Sequence, residues 1–189
     1  MAIDAVTEAI RALLEASLGH VPGGQQMAVN VAAGAPAATG GAHLFLFLYL
    51  ITPAPELRNA DRVRPSPGPA DPPRLLKPAV PLELHYLVAA GPAATDQGLG
   101  ILADAIRVIE GASPVAVPSA AQAAVWLSLL PMTSDEMSRI WGLFPNESCR
   151  SSFAFRASPV WIDPRAPVAP AAPVTDDEAM LGRLPEPAL

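Results

Sequence analysis

Cysteine, lysine and histidine are scarce in this chain, and each scarcity removes a class of function. The one cysteine, Cys149, can neither close an internal disulfide nor share a metal with a second thiolate, so the fold does not depend on oxidising conditions. Lys77 is the only lysine, and a net charge of -6 with a pI near 4.9 leaves little of the basic footprint that phosphate contacts require. No nucleic-acid partner is expected. His20, His43 and His85 are the only histidines; none stands four residues from another or beside the cysteine, so no zinc spacing exists and no metal site is expected. The longest apolar run, Leu44 to Ile51, is far short of the roughly 20 residues that cross a bilayer as a helix. It reads as a buried strand covered on both faces, and no membrane partner is expected. The first residues carry Asp4, Glu8 and Glu15 through their apolar pattern and lack the basic start of a signal peptide, which points to cytoplasmic assembly.

Proline and alanine are what the chain has in excess. Prolines 53, 55, 65, 67, 69, 72 and 73, with Arg58, Arg62, Arg64 and Arg74, make Thr52 to Pro78 a loop of extended character, expected to be disordered or variable. From Arg165 onward, RAPVAPAAPVTDDEAMLGRLPEPAL is too rich in proline and too thin in apolar residues to fold by itself. A length of 189 residues then fits one domain over 1–164 and a Pro/Ala-rich tail over 165–189.

Between those segments the periodicities are clear. Ile3, Val6, Ile10, Leu13 and Leu14 predict a first helix that ends at Val21-Pro22-Gly23-Gly24. Met27, Val29 and Val31 predict a weak strand, Leu44 to Ile51 a second, and Pro81 to Ala90 a third with Leu82, Leu84, Tyr86 and Val88 on one face and Glu83, His85 and Leu87 on the other. Thr95 or Asp96 can cap a second helix whose stripe is Leu102, Ala105, Ile106 and Ile109, closed by Gly111. Ala124 to Leu130 reads as a fourth strand. Thr133 and Glu136 form a capping box ahead of Met137, Ile140, Trp141 and Phe144, at the spacing of a third helix. A last strand starts near Ser151, with Phe153 and Phe155 opposite Ala154 and Arg156, and Pro159 marks a bulge or an edge. The fold class is α/β in the α+β sense: a mixed, mostly antiparallel sheet of four to five strands with about three helices.

Candidate chemistry is thin, and no catalytic, cofactor-binding or metal residue is assigned. G-x-S-x-G, G-x-x-x-x-G-K-[ST] and a strand-borne G-x-G-x-x-G are all missing; Gly98-Leu99-Gly100 opens a helix without a third glycine. Cys149 beside Arg150 is an ordinary turn cysteine, although a neighbouring cation is what a reactive thiolate would want. Asn146-Glu147-Ser148 matches the glycosylation pattern but has no secretory context. The alternative to a structural protein is a small hydrolase or ligand-binding domain using Glu83, His85 and Ser128, which requires them to converge in an enclosed pocket. A second alternative is an adaptor whose segment from Arg64 to Lys77 is read by a partner as an extended PxxP ligand.

The pieces fall in a recognisable order. LFLFLYLITPAPELRNADR is followed by PLELHYLVAA, LGILADAIRVIEGASPV, MTSDEMSRIWGLF and SSFAFRASPVWIDP, and the most specific parts are Leu57-Arg58-Asn59, Leu84-His85-Tyr86-Leu87 and Glu136 to Trp141. From Ala2 to about Pro164 the chain resembles the N-terminal domain of the cap, or tail-terminator, proteins of phage-tail-like contractile injection systems of the Photorhabdus virulence cassette and antifeeding prophage kind. It departs from that pattern in the insert after Arg64 and in the tail. The resemblance implies a tail-terminator-like fold and a homo-hexameric ring on the last layer of an inner tube, in contact with tube and sheath proteins. It also implies no enzymatic activity, no cofactor, and membership of a particle that can be released from the cell. The final strand and the tail after Pro164 are the candidates for contacts between subunits, by strand addition or as an arm.

Overall fold

Val6, Ile10, Leu14 and Leu18 lie on one side of α1 (Ala2–Leu18) and are buried together, as their three-and-four spacing requires. Arg11 bridges Glu8 and Glu15 on the outer side, and Glu15 also accepts a hydrogen bond of 3.3 Å from the Val31 backbone, which ties the helix to β1 (Val31–Ala33). This computed structural model describes residues 2–18, 30–37, 41–57, 79–92, 98–117 and 124–162. The expected close of the first helix at Val21 to Gly24, Met27 and Val29, the Thr95 or Asp96 cap, the loop over 58–78 and the tail over 165–189 lie outside these residues.

The remaining elements are β2 (Leu44–Pro53), a single 3-10 turn (Pro55–Leu57) where an extended loop was expected, β3 (Val80–Ala90), α2 (Gly98–Gly111), β4 (Trp126–Leu130), α3 (Ser134–Trp141) and β5 (Ser152–Ile162). They build one five-stranded sheet in the order β1-β2-β3-β5-β4, in which β1 runs parallel to β2 and every other pairing is antiparallel. The expected mixed α+β fold with three helices is therefore what the chain adopts.

The two faces of the sheet are covered unequally. On one face α1 and α2 press Val6, Ile10, Leu14, Ile101, Leu102, Ala105 and Ile109 onto Leu44, Leu46, Leu84, Tyr86, Val88 and Phe155. Tyr86 stacks on Phe155 with centroids 5.3 Å apart. On the other face α3 and the turn after it set Ile140, Trp141 and Phe144 against Leu87 and Ala89, with Phe47, Tyr49 and Met137 beside them. The Trp141 indole donates to Ser152 Oγ at 3.1 Å. An α-helix of 8 residues is about 12 Å long, whereas an 11-residue strand such as β5 runs about 36 Å. Helix α3 can shield only part of its face.

That mismatch corrects the expectation that both faces of Leu44 to Ile51 are covered. The first half of β2 is buried, but Leu50 on the α3 face is exposed; Ile51, paired with Leu84 on the opposite face, is exposed as well. The strand also continues through Thr52 and Pro53, which pair with Glu83 and Leu82. Pro159 does sit at a bulge, where the β3–β5 register shifts, yet β5 lies between β3 and β4 and is not an edge strand. Strand addition to β5 is thus ruled out over the stretch where β4 pairs with it. The edge strands β4 and β1 are blunted: the Leu127 and Leu129 N–H groups donate to the Ser113 and Glu110 side chains, and that of Val31 to Glu15, whereas β2 beyond Leu46 runs past the end of β1.

Helix α3 begins as its sequence dictates. Thr133 Oγ1 accepts from the Glu136 N–H, while Glu136 Oε2 accepts from the Thr133 backbone at 2.8 Å and from its hydroxyl at 2.7 Å, which holds the carboxyl below its usual range. Thr133→Ala is expected to cost about 1 kcal/mol of stability in urea unfolding. An unchanged midpoint would mean that tertiary contacts alone hold the helix.

Candidate functional site

The uncovered half of the α3 face carries a row of polar side chains that crosses four strands. After the bulge between Leu48 and Leu50, Leu50 opposes His85 and Thr52 opposes Glu83; His85 in turn opposes Arg156, and Arg156 opposes Ser128. Alternation places all of them on the face away from α1. Arg156 donates to Glu83 Oε1 at 3.1 Å and, through Nε, to Ser128 Oγ at 3.4 Å. His85 Nε2 lies 3.7 Å from Glu83 Oε2 and 3.4 Å from Thr52 Oγ1, and the ring meets Tyr49 edge-on with centroids 6.0 Å apart.

The residues of the hydrolase alternative therefore do come together, but in the wrong arrangement for nucleophilic catalysis. Ser128 faces the Arg156 guanidinium, which cannot accept a proton, while His85 is turned to Glu83 and Thr52. Burial pushes the imidazole below its usual value, assisted by the Arg156 charge and opposed by Glu83, so at neutral pH the charge partner of Glu83 is Arg156. Arg156 is half-exposed, so this pair orients the side chains more than it stabilises the fold.

Apolar residues flank the row at the same end of the sheet. Trp126, which pairs with Ser158 on the face of Ser128, is 57% exposed, and Leu50 is 44% exposed. Trp126 and Arg156 are of the residue types enriched at protein-binding surfaces, and here they stand on a strand-built floor beside exposed Leu50. Trp126 was not recognisable as exposed from AVWLSLL, because its exposure follows from where α3 ends. Arg156 was placed on this face by alternation, but its partners come from strands distant in sequence.

The other residues considered have local roles. His43 Nδ1 accepts from the Asn30 backbone at 3.1 Å, and His20 lies outside the described residues. Cys149 is exposed in the stretch after α3, and the Arg150 guanidinium is committed to Glu147 at 3.0 Å and to the Ala37 carbonyl at 3.3 Å. Asn146 belongs to the turn after α3, and Gly98, Leu99 and Gly100 open α2. Arg58, Asn59 and residues 64–77 lie outside the described residues.

Comparison with known proteins bears on this surface. A family model described as the Pvc16 N-terminal domain matches residues 5–176. The fold is similar to a chain of an extracellular contractile injection system described as the PVC sheath/tube terminator in its extended state, with a TM-score of 0.68 and 18% identity over 98% of this chain and 65% of that one. It is also similar to the tube-terminating cap of the anti-feeding prophage, with a TM-score of 0.63 and 18% identity over 93% of this chain and 60% of the other. The chain thus spans less than two thirds of the length of either neighbour. No curated protein sequence matches it.

Proposed function

The chain belongs to the Pvc16 N-terminal domain family, and we propose that it is a structural cap of a contractile injection system. In this reading, identical subunits close into a six-membered ring on the last layer of the inner tube, stop its growth and anchor the end of the sheath. The role is non-enzymatic and uses no cofactor. Residues 1–164 act as the capping domain and 165–189 as an arm, and the ring is assembled in the cytoplasm as part of a particle that can leave the cell.

The observation that carries this reading is the family match over residues 5–176, supported by a fold shared with two terminator chains along nearly the whole length of this one. The sheet adds a physical reason. A closed ring of identical subunits needs a heterologous contact between two different surfaces. Here the edge strands β1 and β4 are blunted, while the half-covered face presents Trp126, Leu50 and the Arg156–Glu83 pair for recognition.

The test is removal of the chain from an assembling particle. Tubes of uncontrolled length or sheaths unattached at one end are expected, and supplying the chain again restores both. Particles of uniform length with attached sheaths in its absence would overturn the proposal.

A further inference from the structure

We infer that Glu83, His85 and Arg156 form a proton-operated switch, in which protonation of His85 draws the Glu83 carboxylate to itself and releases the Arg156 guanidinium to solvent. All three side chains belong to one subunit, so the switch works with or without a ring.

The geometry fixes where the proton lands. His85 Nε2 is the ring nitrogen turned to the row, 3.4 Å from Thr52 Oγ1 and 3.7 Å from Glu83 Oε2. An N–H aimed at a carboxylate closes to about 2.8 Å, so a separation of 3.7 Å fits an Nε2 that carries no hydrogen. The neutral ring then holds its hydrogen on Nδ1, and Nε2 accepts from the Thr52 hydroxyl. Nε2 is thus the basic nitrogen, and a proton taken up from water arrives facing the Glu83 carboxylate.

Burial decides which cation keeps that carboxylate. His85 and Arg156 stand directly opposite each other across β3 and β5, so a charged imidazole sets two like charges in register. Among the described residues Glu83 is the one carboxylate in the row. The side chain of His85 is 16% exposed and that of Arg156 43%. An imidazolium held in the sheet has little water to turn to and needs the anion, whereas the longer guanidinium reaches solvent at little cost. Its other contact, from Nε to Ser128 Oγ at 3.4 Å, is too long to retain it.

The other groups around His85 do not compete. Tyr49 of β2 meets the ring edge-on, and its phenol, raised by burial, stays neutral in acid. Glu136 of α3 acts on that phenol and is held by the Thr133 backbone and hydroxyl, and β4 brings Ser128. Burial and Arg156 hold the imidazole below its ordinary 6.5 against the pull of Glu83, so stability present above 6.5 is lost as pH falls through the folded value. One carboxylate and one guanidinium cancel at neutral pH; in acid the imidazolium leaves the surface beside Trp126 and Leu50 with one uncompensated positive charge.

The experiment is nuclear magnetic resonance of the full chain through the acid range. Long-range proton–nitrogen spectra read the ring hydrogen, and the His85 signals are identified by their loss in His85→Gln and, independently, by their proximity to the Tyr49 ring. A hydrogen on Nδ1 at neutral pH and a midpoint below 6.5 are expected, with an Arg156 Nε–H signal that is protected above the midpoint and lost to solvent exchange below it. Glu83→Gln should move the midpoint further down, and Arg156→Gln should move it up. A hydrogen on Nε2 at neutral pH, a midpoint at or above 6.5, or an Arg156 signal indifferent to the His85 titration would overturn the inference, and each is read on the unsubstituted chain. In His85→Gln the Arg156 signal should persist into acid; its loss there at the same pH would assign the release to Glu83 protonation and overturn the switch as well.

Discussion

Gly91→Ala is expected to lose about 3 kcal/mol of stability, at the upper end of what an overpacked site costs. Gly91 follows the last residue of β3, and its N–H donates to the His43 carbonyl at 2.7 Å, closing the end of the β2–β3 ladder. A Cβ at this position would press into the Ala42 carbonyl and close on the backbone of His43. No flexible side-chain tip stands in the way, so relief requires pulling apart the strand ends and breaking that hydrogen bond. Circular dichroism with urea unfolding measures the effect. A midpoint within experimental error of the parent would mean that the approach of residues 42 and 91 is looser than described. Gly111, around which a Cβ would meet nothing, serves as the control and should tolerate alanine.

Tyr86→Ala is expected to cost about 3–5 kcal/mol, the range for emptying a buried aromatic site. Tyr86 is fully buried beneath α1 and stacked on Phe155, and its hydroxyl lies 2.8 Å from Thr7 Oγ1. Because Thr7 donates its own hydrogen to the Ile3 carbonyl, it accepts from Tyr86. Tyr86→Phe keeps the ring and loses this one bond, so about 1 kcal/mol is expected at neutral pH. The same site gives a pH signature. Burial pushes the phenol from 10.0 up to about 12, with a further rise from Asp4. Since the folded value lies above the unfolded one, the contribution is complete below pH 10 and is lost as pH rises toward 12. About 3 kcal/mol is at stake over that window. In Tyr86→Phe this alkaline loss should shrink to the share of Tyr49, whose phenol burial also raises; a parallel fall in both proteins would assign it to other groups.

Local rules made some elements legible in the sequence and left others hidden. Helix α3 was readable because a capping box and a four-residue stripe lie within twelve consecutive positions; the structure forms the box and the stripe as far as Trp141, and Phe144 joins the same cluster from the turn beyond the helix end. Strand β3 was readable because its alternation assigns Leu84, Tyr86 and Val88 to one core and Leu87 to the other. Three things depend on contacts between distant segments and were not readable. The exposure of Leu50 and Trp126 follows from the short reach of α3 across the sheet. The interior position of β5 follows from the strand order, which no single segment encodes. The polar row joins Arg156 to Glu83 and Ser128, 73 and 28 positions away in the chain. Gly91 was hidden for the same reason, since its need to be glycine is set by Ala42. The family resemblance, by contrast, was visible in the order of the segments, because order survives where individual identities do not.

The most direct test is negative-stain electron microscopy of the purified full chain mixed with inner tube. Six-fold rings and tubes bearing extra density at one end are predicted. A monomer that leaves tube ends bare at every concentration would contradict the capping role.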